Sequence, residues 1–232
     1  YEALAGREIT GGPAALADAL LSVASASGVT LKLNAEVNQI TVSEGRVSGV
    51  TLTGGEHLAA DTVVSAIGPK RTLLELVDPL WLPSNEAGEA ENIRVRGTIA
   101  KVHLGISGDL RAAGDGEPCE RLWLGPHPMD IERAFDDAKM RVLPTAPVLD
   151  VRVPSLSDPS LAPEGHHVVS ILVHGAACDL DAGWDEGGRE ALKSALMSQL
   201  TRFTDLTPER VVACEVLTPD DISERYGLEG AH

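Results

Sequence analysis

The side chains able to do chemistry in this 232-residue sequence are few and scattered. His166, His167 and His174 fall in one segment and invite a metal reading. Successive side chains on a strand point to opposite faces, so His166 and His167 are badly placed to share an ion, and ordinary strand histidines are the preferred reading. Asp136-Asp137 and Asp220-Asp221 are paired acids that solvated helix faces or caps account for. Cys119, Cys178 and Cys214 are odd in number, widely spaced and free of any CxxC, which suggests neither a zinc site nor a disulfide framework. Buried thiols in a reducing compartment, and hence a cytoplasmic location, are expected. Trp123 and Trp184 read as packing residues, either of which could line a ligand wall. No GxSxG elbow, HExxH pair or Walker loop occurs. Gly114-Asp-Gly116 lacks a third glycine, and Gly68-Pro-Lys-Arg-Thr72 shares only the tail of a P-loop.

Composition narrows the classes. Apolar residues make up 43% of the chain but aromatics only 3%, so a core must be filled by Leu, Val, Ile and Ala. The net charge of −16 argues against nucleic acid, whose phosphates need a basic footprint, and against electrostatic attachment to anionic lipid. No signal peptide is visible and no apolar run approaches membrane-spanning length. The start at Tyr1 and the stop at Gly230-Ala-His232 read as a piece of a longer polypeptide.

The elements that must position any site follow from periodicity and turn chemistry. Thr10-Gly11-Gly12-Pro13 leads into a helix whose Leu16, Leu20 and Val23 share a face, with Gly28 as its cap. Val29–Leu33 reads as a short strand. Three short strands follow, Glu36–Ser43, Val47–Thr53 and His57–Ala59, as an antiparallel meander with turns at Glu44-Gly45-Arg46 and Gly54-Gly55. Asp61-Thr-Val-Val-Ser-Ala-Ile-Gly-Pro69 reads as a strand buried on both faces, stopped by Gly68-Pro69, with a helix over Lys70–Val77. Residues 80–93 read as a linker or exposed helix and hinge. Strands are expected at Arg94–Ser107, Arg121–Leu124, Val148–Val153, His167–His174 and Arg210–Leu217. Helices are expected at Met129–Lys139, with Ile131, Ala134 and Phe135 inward, at Trp184–Phe203 and at Pro219–Tyr226. Ile99, Val102, Leu104, Val169, Ile171 and Val173 could wall an apolar pocket or form an ordinary core.

The order of these elements resembles the FAD-dependent amine oxidase and phytoene desaturase superfamily. Gly11-Gly12, Gly28-Val29, Ala35-Glu-Val37, Ile40, Gly49-Val50 and Ser65-Ala66-Ile67-Gly68-Pro69 carry the likeness in the first part. Met129–Ala138, Pro154-Ser155, Asp158–Gly165 and Pro219–Leu228 are similar to the phytoene dehydrogenase-like branch, which includes the pyridine nucleotide-disulphide oxidoreductase domain 2 proteins. The resemblance implies an α/β fold: the middle of an FAD-binding Rossmann-like domain with its β-meander over residues 1–93, to which 216–232 return, and a mixed-sheet substrate domain over 94–215. It implies FAD as cofactor, with the backbone of Val37 meeting the adenine and Ala66 near the cofactor. The family's GxGxxG, which sets a pyrophosphate on a helix N-terminus, is expected before Tyr1, and its flavin-contacting C-terminal segment after His232. The implied chemistry is hydride transfer from a small apolar, lipid-like or amine-type substrate to the flavin. No residue is assignable as a catalytic acid or base, and the fragment alone is expected to be inactive. A non-catalytic binding or assembly module that keeps the fold is the alternative, and a homodimer formed through an exposed strand edge is a further expectation.

Overall fold

The computed structural model describes residues 9, 11–114, 116–125 and 127–231. Thr10 of the first turn, Asp115 of the Gly114–Gly116 loop and His232 of the C-terminal motif lie outside them. The chain divides into two compact units, the first comprising residues up to Val64 with Leu73–Ser84 and the second Ser65–Thr72 with the residues from Asn85 onward.

In the first unit, helix α1 (Gly12–Ala26) has Pro13 in its opening turn and ends at Ser27, with Gly28 at φ +81°. Its apolar face is not covered: Leu16, Leu20 and Val23 are 46%, 63% and 65% exposed. Periodicity identifies which face of a helix is apolar, but burial needs an opposing layer, and none of its residues is buried. No strand forms at Val29–Leu33, where Val29 N–H donates to Ala24 O and prolongs the helix end. The meander forms as expected from β1 (Val37–Ser43), β2 (Arg46–Leu52) and β3 (His57–Ala59), antiparallel in that order. Glu44 and Gly45 both have positive φ, the conformation of a tight hairpin turn. Gly49 is required where β2 meets β3, because a Cβ there would lie 2.1 Å from Leu58 O. Ile40, Leu52 and Leu76 are the buried apolar residues of this unit, and Ile40 also bridges Val77.

The stretch Asp61–Ile67 corrects the sequence reading. It is extended but belongs to no strand, and Val64 and Ile67 are 89% and 44% exposed. A strand of that composition needs a neighbour on each side and cover on each face, and no described strand pairs with it. After it, α2 (Pro69–Arg71) runs into a π-helical turn, Thr72–Leu76, where an α-helix over 70–77 was expected. Helix α3 (Ser84–Glu91) occupies the expected linker.

The second unit is built on a five-stranded antiparallel sheet. Its strands are β4 (Ile99–Ser107), β5 (Arg121–Leu124), β6 (Val148–Arg152), β7 (His166–His174) and β8 (Val211–Leu217), in the order β5-β6-β7-β4-β8. Alternation along β4 puts Ala100, Val102, Leu104 and Ile106 on one face, level with Val169, Ile171 and Val173 of β7. Helix α6 (Glu186–Phe203) joins that core through Leu192, Leu196 and Leu200, all fully buried and each contributing about 1.5–3 kcal/mol. Asp185 caps α6 by accepting from Gly188 N–H at 3.0 Å.

Helix α4 (Pro128–Lys139) buries Ala134 and Ala138, whereas Ile131 and Phe135, expected inward, are 46% and 48% exposed. The reason is a close approach: a Cβ on Gly175, just beyond β7, would lie 2.9 Å from Ala134 O, so only small residues fit between helix and sheet. The short helix α5 (Pro154–Ser157) follows β6. Helix α7 (Pro219–Tyr226) begins with a reciprocal cap in which Thr218 and Asp221 satisfy each other's backbone N–H. Arg189 of α6 donates two hydrogen bonds to Asp221, at 2.5 and 2.7 Å. Gly97 N–H donates to Gly230 O at 2.7 Å and ties the end of the described chain to the lead-in of β4.

Candidate functional site

Cross-strand partners share a sheet face. Since α6 and the core occupy one face, the alternate residues define the other. Trp123, Asp150, Leu172 and Lys101 form one row across β5, β6, β7 and β4. Arg121, Arg152, Ser170, His103 and Glu215 form the next, extending to β8. Val148, His174 and Ile99 form a third. Of the two readings of the apolar set, core holds for Val102, Leu104, Val169, Ile171 and Val173, and only Ile99 stands on the other face.

This face is polar, aromatic and partly desolvated. The Asp150 residue is only 6% exposed, and Arg121 clamps it from Nε and Nη2 at 3.0 Å each. Arg152 Nη2 lies 3.9 Å from Asp150 Oδ2. Burial pushes the Lys101 ammonium below its ordinary pKa, against the attraction of Asp150, with Arg152 lowering it further. Burial likewise lowers His103, with Lys101 acting in the same direction and Glu215 opposing. His174 is lowered by burial, so its ring is neutral at pH 7. That ring packs 5.4 Å from Trp123 at a 50° tilt, and its buried Nε2 has no hydrogen-bond partner among the described residues. Trp123 is 45% exposed and so is available as a wall, whereas Trp184 is a core residue whose indole N–H donates to Ala177 O.

The other histidines have separate roles. His167 stands between Ser155 Oγ, 2.9 Å from Nδ1, and Asp109 Oδ1, 3.2 Å from Nε2. The order Ser–His–Asp is that of a nucleophile relay, but Ser155 is 3% exposed and its oxygen already accepts from Val168 N–H at 3.0 Å. It is a latch between α5 and β7. His166 bonds Glu164 O instead, and no cluster of three or more metal-ligating side chains occurs among the described residues. No described helix is long and apolar enough to cross a membrane. Asp136 pairs with Lys139 on the surface of α4, while Asp221 is the α7 cap.

In the first unit, an open depression of about 610 Å³ lies beside the start of β1, lined by residues 32–36, 52–54 and 56. Lys32 and Glu56 close one side with an ion pair of 2.5 Å. Val37 is half-buried at the head of β1, an edge strand of the meander whose outer side is bridged at Ile40 by Val77. Ala66 lies exposed in the extended stretch and belongs to the second unit.

A family model described as "Flavin containing amine oxidoreductase" matches residues 3–220. The chain belongs to that family. It is 29% identical to the rat pyridine nucleotide-disulfide oxidoreductase domain-containing protein 2, over 97% of this chain and 41% of the relative. It is 28% identical to the 4,4'-diapolycopene oxygenase of a Methylomonas species, over 94% of this chain and 42% of that protein. The zeta-carotene-forming phytoene desaturase of Myxococcus xanthus is 29% identical over 94% of this chain and 40% of its own length. This member of the flavin family thus spans about two fifths of the curated relatives it matches. Its fold is shared with a crystal structure from Pyrococcus furiosus at a TM-score of 0.57 and 16% identity, over 89% of this chain and 42% of that one. A putrescine oxidase variant superposes with a TM-score of 0.56 at 16% identity, over 95% of this chain and 40% of the other. The mixed α/β fold class and the superfamily expected from the sequence both hold.

The open-face cluster was missed by sequence reasoning, although one signal was present. Asp150 interrupts the apolar run Val148-Leu-Asp-Val. A carboxylate inside a strand of that kind requires a cationic partner across the ladder.

Proposed function

We propose that this chain is part of an FAD-dependent oxidoreductase that moves a hydride from an apolar or amine-type substrate to the flavin. In this reading residues 1–93, with 216–232 returning to them, contribute to the FAD-binding domain, and 94–215 form the substrate domain. Val37 would contact the adenine through its backbone and Ala66 would pack near the cofactor. FAD, when bound, supplies the redox chemistry. The chain's own residues orient and enclose: the open face of the five-stranded sheet presents Trp123, Leu172 and Ile99 as an apolar wall, with Lys101, His103 and His174 held in partly desolvated positions. By itself this stretch would not turn over substrate.

The observation that carries the reading is the family match, supported by a sheet with one face closed by α6 and the other partly exposed at Trp123, Leu172 and Ile99. The test is the visible absorption spectrum of the protein purified from its complete reading frame. Flavin bands that survive gel filtration are expected. A colourless protein that also fails to take up added FAD would overturn the reading and leave a binding or assembly module. A homodimer is part of the proposal only through the free edge of β8, and light scattering over a wide concentration range checks it.

A further inference from the structure

The open sheet face is cationic in a protein of strongly acidic composition. Arg121, Arg152, Lys101 and Arg225 face Asp150 and Glu215, against a chain net charge of −16. Two of the carboxylate–cation matches are used up internally, Asp150 by the Arg121 clamp and Glu215 by Arg225 at 3.2 Å. The cations left over are Lys101 and Arg152. Lys101 has no ion pair or hydrogen bond among the described residues although it is half-buried, and Arg152 reaches Asp150 only at 3.9 Å. Lys101 is thus a half-buried cation without a close partner, a costly state that an arriving anion relieves, whereas the Arg152 side chain is 56% exposed and adds a solvated charge nearby.

The two cations sit on β4 and β6, either side of β7 and two residues out of register, so their backbones are about 12 Å apart. Between them lie Leu172 and Ser170, and beyond them the half-exposed Trp123 ring backed by His174. The face is about 20 Å long from Val168 to His174 along β7. Across the strands Leu172 and Trp123 are about 10 Å apart, with the clamped Asp150 between them, so an alkyl chain of about eight carbons or more, its head at the cations, reaches both.

We propose that this face binds an amphiphilic monoanion, a carboxylate carrying an apolar chain, with Lys101 and Arg152 holding the carboxylate and Trp123 and Leu172 seating the chain. The proposal rests on the reading of this sheet as the substrate wall, and it adds a charged head group to what was expected to be a purely apolar or amine-type ligand. Arg152 contributes a planar donor pair suited to a carboxylate, and Lys101 a compact charge.

The experiment uses the complete protein with sodium decanoate as probe and methyl decanoate as its uncharged counterpart, followed by calorimetric titration and by tryptophan fluorescence. Decanoate should bind and quench, and Trp123→Phe should remove the quench. Methyl decanoate should bind at least about tenfold more weakly. Lys101→Met and Arg152→Met should each weaken decanoate about tenfold while leaving methyl decanoate unchanged. Lys101→Gln serves as the second variant should the methionine disturb the fold. Equal binding of acid and ester, or decanoate binding indifferent to both cation variants, would overturn the proposal. The visible spectrum separates the two levels: a yellow protein that ignores decanoate loses this inference alone, whereas a colourless one loses the oxidoreductase reading.

Discussion

The Arg121–Asp150 clamp gives an asymmetry that can be measured. Asp150 is 6% exposed, whereas the Arg121 side chain is 49% exposed. Replacing Arg121 by Met therefore leaves a buried carboxylate whose nearest remaining ion-pair partner, Arg152, is 3.9 Å away. Removing one partner of a fully buried pair costs about 3–5 kcal/mol, and the half-wet guanidinium here brings that down to about 3 kcal/mol. Replacing Asp150 by Asn instead leaves an arginine that can turn into water, and the amide oxygen still accepts one of its two bonds. That change should cost about 1 kcal/mol. Urea unfolding of the complete protein at pH 7, followed by tryptophan fluorescence, should place Arg121→Met about 2 kcal/mol below Asp150→Asn. The double variant should recover most of the difference, because the stranded charge is gone. Equal costs, or a larger cost for Asp150→Asn, would refute the argument that burial of the carboxylate decides the outcome.

Two further perturbations test other joints of the second unit. Hydrogen bonds from Arg189, with those of Thr218, hold the Asp221 carboxyl far below its usual range, so its contribution is present above the unfolded value of about 3.9 and is lost as pH falls through the lowered folded value. Asp221→Asn should thus cost about 1–2 kcal/mol at pH 7, and the gap to the parent should close on acidification below about pH 4, as read by denaturant midpoints along a pH series. A Cβ on Gly97 would lie 2.1 Å from Ala231 O, so Gly97→Ala should undock residues 228–231 and speed cleavage within them in limited proteolysis with the core sheet intact by circular dichroism.

Much of the local structure was legible in the sequence. The β-meander, the five strands of the sheet and helices α1, α4, α6 and α7 follow from alternation, helical periodicity and turn chemistry, which act within a few residues. What failed has a common cause. Leu16, Leu20 and Val23 mark an apolar helix face, and Val63 to Ile67 mark a strand-like run, but whether either is covered depends on elements far away in sequence. Phe135 shows the reverse case: a strongly apolar residue at helical spacing is turned outward because the helix lies too near Gly175 for anything larger than alanine. The Ser155–His167–Asp109 latch and the Arg121–Asp150 clamp join residues 12 to 58 positions apart, and no local pattern announces them.

The order of motifs in the sequence carried the resemblance to the family, and hydrophobic period with the Gly and Pro positions set most elements, because these constrain backbone choices one segment at a time. Only the tertiary structure decided which face of the sheet is core and which is open. Strand order sets that division, since pairing β6, β7 and β4 side by side brings Asp150, Leu172 and Lys101 into one row although they lie up to 71 residues apart.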